Sequence, residues 1–449
     1  MLESEVKKCM LITTPRAGKT LSRGALSIAS FLNSRGYLTE ILPLAYLVDY
    51  RDEWSYEEIE TILKDSLENA GPVLVGVSNQ FTGDYPICME ILKRCKQINE
   101  DIVSVVGGVH VTFLDSDSAK LPYVDIVVRG EGEWAMLDLA TTLEKRHDVD
   151  KVLGITYMKD GEIIRNPDRP LGDLAELPPL DFGLLPPMFV QNIFIHGMLN
   201  RGCNFNCRFC GESAFWKKRR SFPVDRIIQE MISLDQVYNN PMHGIDDSML
   251  YIGSEQFTQL AEEIRRQKIR LHPDFYIMSR VDSFLEDDLA LVKETGINYV
   301  QLGIESASPK VLQAMNKKTS KEKILSCCVK LKKYGLKPYG LWMIGHPGDT
   351  PDEAEYSLDF MEYLLQERLM ERVAVSVFAP CPGTIFFEQP EKFGIELLSD
   401  NWMDWSQYFV ERPVCQLTDF SAEEIMRSYR KAHEIIDRVN PGALSLGDA

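Results

Sequence analysis

The chain has no apolar run long enough to cross a bilayer. Its longest runs, such as "PVLVGV" at 72 to 77, are strand-sized, whereas a spanning helix needs roughly 20 apolar residues. The opening "MLESEVKK" has none of the apolar core of a secretory signal. Positive charge is scarce. Against 67 acidic residues stand 49 basic ones, and the net charge of -18 opposes nonspecific binding to nucleic acid or anionic lipid. The one basic run, "KKRR" at 217 to 220, suits a local rim or solvated surface rather than a polyanion platform. Ten cysteines are scattered through 449 residues, mostly inside hydrophobic patterns, so no disulfide framework is indicated. These absences predict a cytoplasmic protein in a reducing compartment, with no nucleic-acid partner and no membrane span. A hydrophobic fraction of 45% and a charged fraction of 26% are enough for two or three domains with cores of their own.

Residues 8 to 140 alternate strand-like and helix-like patterns, from "KCMLITTP" and "LSRGALSIASFLNSRG" to "YVDIVVRGEGE" and "WAMLDLATTLEK". Continuous Val/Ile-rich strands imply burial on both faces, which predicts an α/β, Rossmann-like, doubly wound parallel sheet. Ligands of such sheets sit beyond the carboxyl ends of the strands, here the loops at 15–20, 78–82, 107–112 and 130–133. "GITYMKDGEIIRN" (154 to 166) reads as a hairpin turning at Asp160 and Gly161. The six prolines of "PDRPLGDLAELPPLDFGLLPP" (167 to 187) read as a semi-rigid linker. From 191 a second β-α series supplies six strands, too few for an eight-stranded barrel. A partial (β/α)6 TIM barrel with a small, mostly helical C-terminal tail is expected. The domains are then 1–150, a hairpin and linker at 151–190, the barrel at 191–385 and a capping region at 386–449.

"NRGCNFNCRFCGESAFWKKRR" (200 to 220) holds Cys203, Cys207 and Cys210. A short loop at this spacing can turn three soft thiolates toward one centre. Structural zinc takes four protein ligands, so zinc would require a fourth from elsewhere in the chain. A 4Fe-4S cluster held by three cysteines keeps one iron open to a small molecule. The loop follows the first strand of the six-strand series, and with "QLGIESASPKVLQAMNK" (301 to 317), "MIGHPGDT" (343 to 350) and "PCPGT" (380 to 384) it resembles the radical S-adenosylmethionine (SAM) superfamily. The resemblance covers residues 191 to about 385. It implies that the open iron chelates SAM, that an electron from a flavodoxin or ferredoxin cleaves SAM to methionine and a 5'-deoxyadenosyl radical, and that a small molecule is the substrate. Asp246 and Asp247 end the second strand, where relatives often place Gly-Gly-Glu near the SAM amine. That triplet is absent, so they read either as its acidic substitute or as a helix-capping pair. Ser279 and Arg280 end the third strand, and the guanidinium suits either the SAM carboxylate or a structural ion pair. Glu305 resembles the family's ribose-binding acid, while Ile344 and Gly345 either admit the adenine by main-chain contact or form a turn.

"GVSNQFT" (76 to 82), "VVGGVHVTFL" (105 to 114) and "DIVVRGEGEW" (125 to 134) resemble the cobalamin-binding domain that precedes many radical SAM enzymes. The resemblance places the corrinoid against Ser78, Thr82, Gly107, Gly108, His110, Gly130 and Glu131, with Thr112 a further small donor. The Asp-x-His-x-x-Gly motif that supplies an axial imidazole is missing. His110 follows "GGV" and is expected to be a buried structural residue. "PRAGKT" (15 to 20) is no phosphate-binding loop, since Thr13 stands where that motif needs glycine. The resemblance implies a cobalamin-dependent methyltransferase acting at an unactivated carbon, whose methyl carrier a second SAM recharges. The alternatives are a cyclase or ring-rearranging enzyme, a radical SAM enzyme without cobalamin, or a binding scaffold. "NWMDWSQYF" (401 to 409) lines a substrate pocket or simply packs. No side chain is singled out as acid, base or nucleophile.

Overall fold

Strand β1 (Lys8–Thr13) is apolar on both faces because it lies inside a sheet covered on both sides. Met10 and Ile12 enter one core with Val75, Val77, Val106 and Val127, while Cys9 and Leu11 enter the other with Leu74, Val105, Ile126 and Val128. The computed structural model describes residues 8–15, 21–48, 54–145, 147–405 and 410–440. The chain divides into two compact units, Met1–Ile195 with Gln236–Asn240, and His196–Asp235 with Pro241–Ala449.

In the first unit β1 is joined by β2 (Leu38–Pro43), β3 (Leu74–Asn79), β4 (Val103–Gly108), β5 (Ile126–Val128), β6 (Ile155–Lys159) and β7 (Glu162–Arg165). The order is β2-β1-β3-β4-β5-β6-β7. The first five are parallel. Between β1 and β3 the winding direction reverses, the place where open sheets of this kind take ligands. The expected hairpin forms, with Asp160 (φ 51°) and Gly161 (φ 82°) in the left-handed region. It extends the sheet antiparallel to β5 rather than standing apart. Buried Arg129 ties it down, donating to the carbonyls of Ile155 (2.5 Å) and Asn166 (2.5 Å) and to the Asp168 carboxylate (3.0 Å). The proline-rich stretch is packed: Leu174, Leu177, Leu180, Phe182 and Leu185 are buried. The Asp181 amide donates to Ser30 Oγ at 2.8 Å. The stretch holds only two single 3-10 turns, Leu174–Glu176 and Phe182–Leu184, before a helix begins at Pro187, yet its leucines find a core. "PRAGKT" lies outside the described residues from 16 onward.

The second unit carries β8 (His196–Gly197), β9 (Asn200–Arg201), β10 (Arg220–Ser221), β11 (Gly244–Ile245), β12 (Tyr276–Ser279), β13 (Tyr299–Glu305), β14 (Lys337–Ile344) and β15 (Arg372–Val377). Six of them form one parallel sheet in the order β15-β14-β13-β12-β11-β8. β8 and β15 are its edges, so the barrel is partial and open, as the strand count predicts. Ser254 and Thr350 cap the helices Glu255–Gln267 and Pro351–Gln366 by accepting amide hydrogens of Phe257 and Glu353. In the tail β16 (Ile395–Leu397) pairs antiparallel with β17 (Cys415–Leu417). The helix Ala422–Val439 begins with a reciprocal Ser421–Glu424 cap. Its Arg438 pairs with Glu362 (2.8 Å) on the helix Pro351–Gln366. Trp402 and Trp405 lie 4.8 Å apart with their rings tilted by 50°, beside Phe387, so the described part of the aromatic tail motif is packing. Residues 406–409 lie outside the described residues. Among those described, no helix is long and apolar enough to cross a membrane.

Candidate functional site

The cysteine loop leaves the carboxyl end of β8 and is closed at its neck. Strands β9 and β10 pair antiparallel across it, Arg201 opposite Arg220 and Asn200 opposite Ser221. Gly202 takes φ 81°, and a Cβ there would meet the Lys218 carbonyl oxygen at 2.6 Å, so only glycine permits this approach. Asp247 holds the neck from beneath. Its Oδ1 accepts from the Leu199 (2.7 Å) and Asn200 (3.0 Å) amides, and its Oδ2 from Asn200 Nδ2 (2.7 Å). Asn200 Oδ1 then accepts from Arg219 Nη2 and Ser221 Oγ, each at 2.7 Å. Burial pushes the Asp247 carboxyl up to about 7 against the pull of its donors. Asp246, its neighbour, is exposed.

Inside the neck the three thiols are partly exposed. Cys203 Sγ accepts from the Phe205 amide (3.5 Å) and Cys207 Sγ from Arg280 Nη1 (3.7 Å). Burial raises the Cys203 thiol and takes Cys210 to about 12. Holding these sulfurs as thiolates therefore calls for a strong cationic partner, which iron provides. Among the described residues no three His, Cys, Asp or Glu side chains converge as a mononuclear metal site requires. A cluster spreads its cysteines over three separate irons, and the donor set fits it. Glu212, just beyond Cys210, is tied to Trp216 Nε1 (2.7 Å) and to the Ser248 hydroxyl.

Two cations clamp the loop through its phenylalanines. The Arg280 guanidinium lies 3.9 Å from the Phe205 ring centre, and the Lys317 ammonium 5.6 Å from that of Phe209. Arg280 also donates to the Lys317 carbonyl (2.6 Å) and to Asp282 Oδ1 (3.1 Å). Lys317 Nζ donates to Glu305 Oε1 at 2.7 Å in a buried ion pair. Glu305 sits at a bulge of β13 with φ 65°. A Cβ on Gly303 would fall 2.8 Å from Glu305 Oε1 and 2.9 Å from Lys317 Nζ, so that glycine makes room for the pair. The turn at 314–317 docks on the loop as well. Arg208 donates to the carbonyls of Met315 (3.0 Å, amide) and Ala314 (3.2 Å, side chain), and Asn316 Nδ2 donates to that of Asn206 (2.8 Å).

The remaining barrel positions are more occupied than the sequence suggests. Ser279 Oγ donates to the Leu250 carbonyl at 2.9 Å and shares a hydrogen bond with Ser283 Oγ. The Ile344 carbonyl accepts from the Phe378 amide (2.8 Å), and the Gly345 amide donates to Asp349 Oδ2 (3.0 Å). Gly345 has φ 81° and faces Ile425 of the C-terminal helix, the geometry of a turn glycine. Burial raises Asp349 to about 7. His346 is buried among Phe209, Phe378 and Phe386, its Nδ1 facing the Pro347 carbonyl at 2.9 Å, and burial takes it down to about 3. Lys317, the two phenylalanines, Asp349 and His346 were missed. All but Asp349 have no recognisable motif role, although every one lies within a stretch that carries the family resemblance.

In the first unit glycines stand at the end of β4 and just past β5. Gly108 (φ 129°) crosses so close to β3 that a Cβ would lie 2.1 Å from the Asn79 carbonyl oxygen. A Cβ on Gly107 would touch Val128 at 3.5 Å, while Gly130 (φ 71°) has nothing within 4 Å. Thr112 links the two loops, its Oγ1 donating to the Gly108 carbonyl (2.7 Å) and accepting from the Gly130 amide (3.0 Å). Ser78 and Thr82 are partly exposed. Glu131 is nearly buried and accepts from the Gly172 amide at 3.4 Å. His110 is buried with its ring against Tyr85 (4.6 Å), and burial takes it down to about 4. The glycines at the carboxyl ends of β4 and β5 leave backbone uncovered by side chains there, which fits a bulky planar ligand.

A six-stranded parallel sheet with a three-thiol loop after its first strand, preceded by a doubly wound sheet with glycine-lined ends, defines a class. The chain belongs to the radical SAM superfamily, in the group whose barrel follows a B12-binding domain. The superfamily matches residues 198–361 and the B12-binding domain residues 11–140. The chain is 30% identical over 407 residues to an uncharacterized methyltransferase, PH0819, of Pyrococcus horikoshii, covering 87% of this chain and 86% of that protein. It is 28% identical over 345 residues to the anaerobic magnesium-protoporphyrin IX monomethyl ester cyclase of Rubrivivax gelatinosus, covering 73% of this chain and 59% of the cyclase. In fold it is similar to the radical SAM methyltransferase TsrM of Kitasatospora setae, solved with cobalamin and a 4Fe-4S cluster bound. The TM-score is 0.76 at 18% identity, over 98% of this chain and 93% of that one.

Proposed function

We propose that this protein is a cobalamin-dependent radical SAM methyltransferase that methylates an unactivated carbon of a small-molecule substrate. One observation carries the reading: a single chain joins a three-thiol loop at a barrel strand end to a B12-type parallel sheet with glycines at the end of β4 and just past β5. When bound, the cluster supplies one electron to SAM, and the corrinoid supplies a methyl carrier. The protein's own part is to hold and exclude. Cys203, Cys207 and Cys210 hold the cluster, with Phe205 and Phe209 shielding it from water and Arg280 and Lys317 fixing both rings. Glu305, oriented by Lys317, remains the candidate for ribose hydroxyls, and Asp246 for the SAM amine. Residues 1–150 form the corrinoid domain and 191–385 the barrel, with Gly107, Gly108 and Gly130 meeting the corrin by backbone. His110 lies in the core and would not serve as a lower ligand to a bound corrinoid. The electron donor is a flavodoxin or ferredoxin, and the setting is cytoplasmic.

The test is anaerobic purification with iron and corrinoid analysis, followed by turnover with SAM and a reductant. Iron, a corrinoid and formation of S-adenosylhomocysteine alongside 5'-deoxyadenosine support the proposal. Full turnover without S-adenosylhomocysteine overturns methylation in favour of ring formation or rearrangement, the outcome suggested by likeness to the cyclase.

A further inference from the structure

Arg280 does more at the cysteine loop than balance a charge. It is 6% exposed, and three directed contacts fix its guanidinium: Nη2 to the Lys317 carbonyl at 2.6 Å, Nε to Asp282 Oδ1 at 3.1 Å, and the plane against Phe205 at 3.9 Å. The remaining nitrogen, Nη1, points at Cys207 Sγ, 3.7 Å away. The second cation at the loop differs in kind. Lys317 donates to Glu305 at 2.7 Å and lies against the Phe209 ring of the loop.

We propose that Arg280 is a positioning residue that sets the ease of one-electron reduction of the cluster, by holding a guanidinium N–H on the sulfur of Cys207. The inference rests on the reading that this loop holds a 4Fe-4S cluster. In the step concerned one electron enters the cluster, and no bond is made or broken. The added negative charge is shared with the cysteine sulfurs, so a fixed N–H donor on one of them stabilises the reduced form more than the oxidised form. Because the guanidinium is already anchored, it need not reorganise when the electron arrives. Asp282 acts in the opposite direction. Its carboxylate draws on the same guanidinium and places a negative charge nearby, damped because its side chain is 23% exposed.

Opposite signs make the proposal testable. The full chain, reconstituted anaerobically and without SAM, is titrated with dithionite while the reduced cluster is followed by electron paramagnetic resonance. At the wild-type midpoint, Arg280→Gln should lower the reduced-to-oxidised ratio about tenfold, which is about 59 mV for a one-electron couple. Arg280→Lys should recover part of this, and Asp282→Asn should raise the ratio about threefold. Unchanged titration of Arg280→Gln with a full complement of iron overturns the proposal. So does a loss of SAM affinity alone, which would make Arg280 a SAM ligand only. If Arg280→Gln assembles no cluster, Asp282→Asn decides: a raised ratio supports the proposal and an unchanged one overturns it. A wild-type chain that takes up no iron instead sinks the cluster reading itself, and the inference with it.

Discussion

At the cysteine loop charged and polar side chains supply the contacts that surround the thiols: Asp247 on the neck, Arg280 and Lys317 on the phenylalanines, Glu305 on Lys317. At the ends of β4 and β5 glycine backbone sets the surface, with Gly108 pressed on Asn79 and Gly130 open, while Thr112 bridges the two and Arg129, just past β5, ties down the hairpin. The difference follows from the ligand each region suits. A small, highly charged cluster is controlled by directed donors and charges, which need long polar side chains anchored at their far ends. A broad macrocycle is controlled by shape, which needs side chains removed.

Substitutions at the two regions should therefore fail differently. The largest effect belongs to the thiols. Replacing Cys203, Cys207 or Cys210 by Ala should abolish iron uptake and SAM cleavage while leaving corrinoid binding in place, read by iron analysis and visible spectra of the same sample. Next is Lys317→Met, which strands the buried Glu305 carboxylate and should cost about 3 to 5 kcal/mol in denaturant unfolding. The paired change Lys317→Met with Glu305→Gln should recover most of that loss. On the other side, Gly108→Ala forces a Cβ onto the Asn79 carbonyl and should destabilise the first unit by about 3 kcal/mol. Gly130→Ala has open space and should cost only about 1 kcal/mol. Its effect should fall on corrinoid uptake instead, and normal uptake would remove Gly130 from the proposed contact surface.

How far these regions were legible in the sequence follows the same division. The six barrel strands and the parallel sheet were readable because burial on both faces leaves continuous apolar runs, and Cys203, Cys207 and Cys210 because their spacing is local. The glycines could be found, though not their partners. Gly108 is constrained by Asn79 on another strand, a contact that no local pattern encodes. Lys317 escaped because it lies on a turn twelve residues from Glu305. Arg280 reads from its sequence as either a SAM ligand or a structural ion pair; it does pair with Asp282, but its sulfur and carbonyl partners come from two other segments and could not be read. The leucines that pack the proline-rich stretch were visible too, but proline content alone suggests a spacer.

The next effect is electrostatic. The Asp247 carboxyl sits at about 7 in the folded chain and at about 4 when unfolded. Unfolding thus releases its proton between these values. The stability it contributes is fully present below about pH 4 and is lost as the pH rises through about 7, by about 3 kcal/mol between pH 5 and pH 8. Asp349 should act in the same direction. Unfolding of the second unit at pH 5 and pH 8 should show this loss, and Asp247→Asn should reduce the slope even though it weakens the neck at both pH values.

The smallest effect tests the comparison most sharply, because the Thr112 side chain joins the two glycine-bearing loops. Its hydroxyl donates to the Gly108 carbonyl and accepts from the Gly130 amide. Thr112→Val keeps the shape and removes both bonds, which should cost about 1 to 2 kcal/mol. Thr112→Ser keeps the hydroxyl and should cost less. If backbone shape controls this region, Thr112→Val should weaken corrinoid binding in proportion to the slack it gives the two glycines, leaving iron content and cluster reduction untouched. Equal loss of iron and corrinoid would mean that the two regions do not fail separately, and the contrast between side-chain and backbone control would fall.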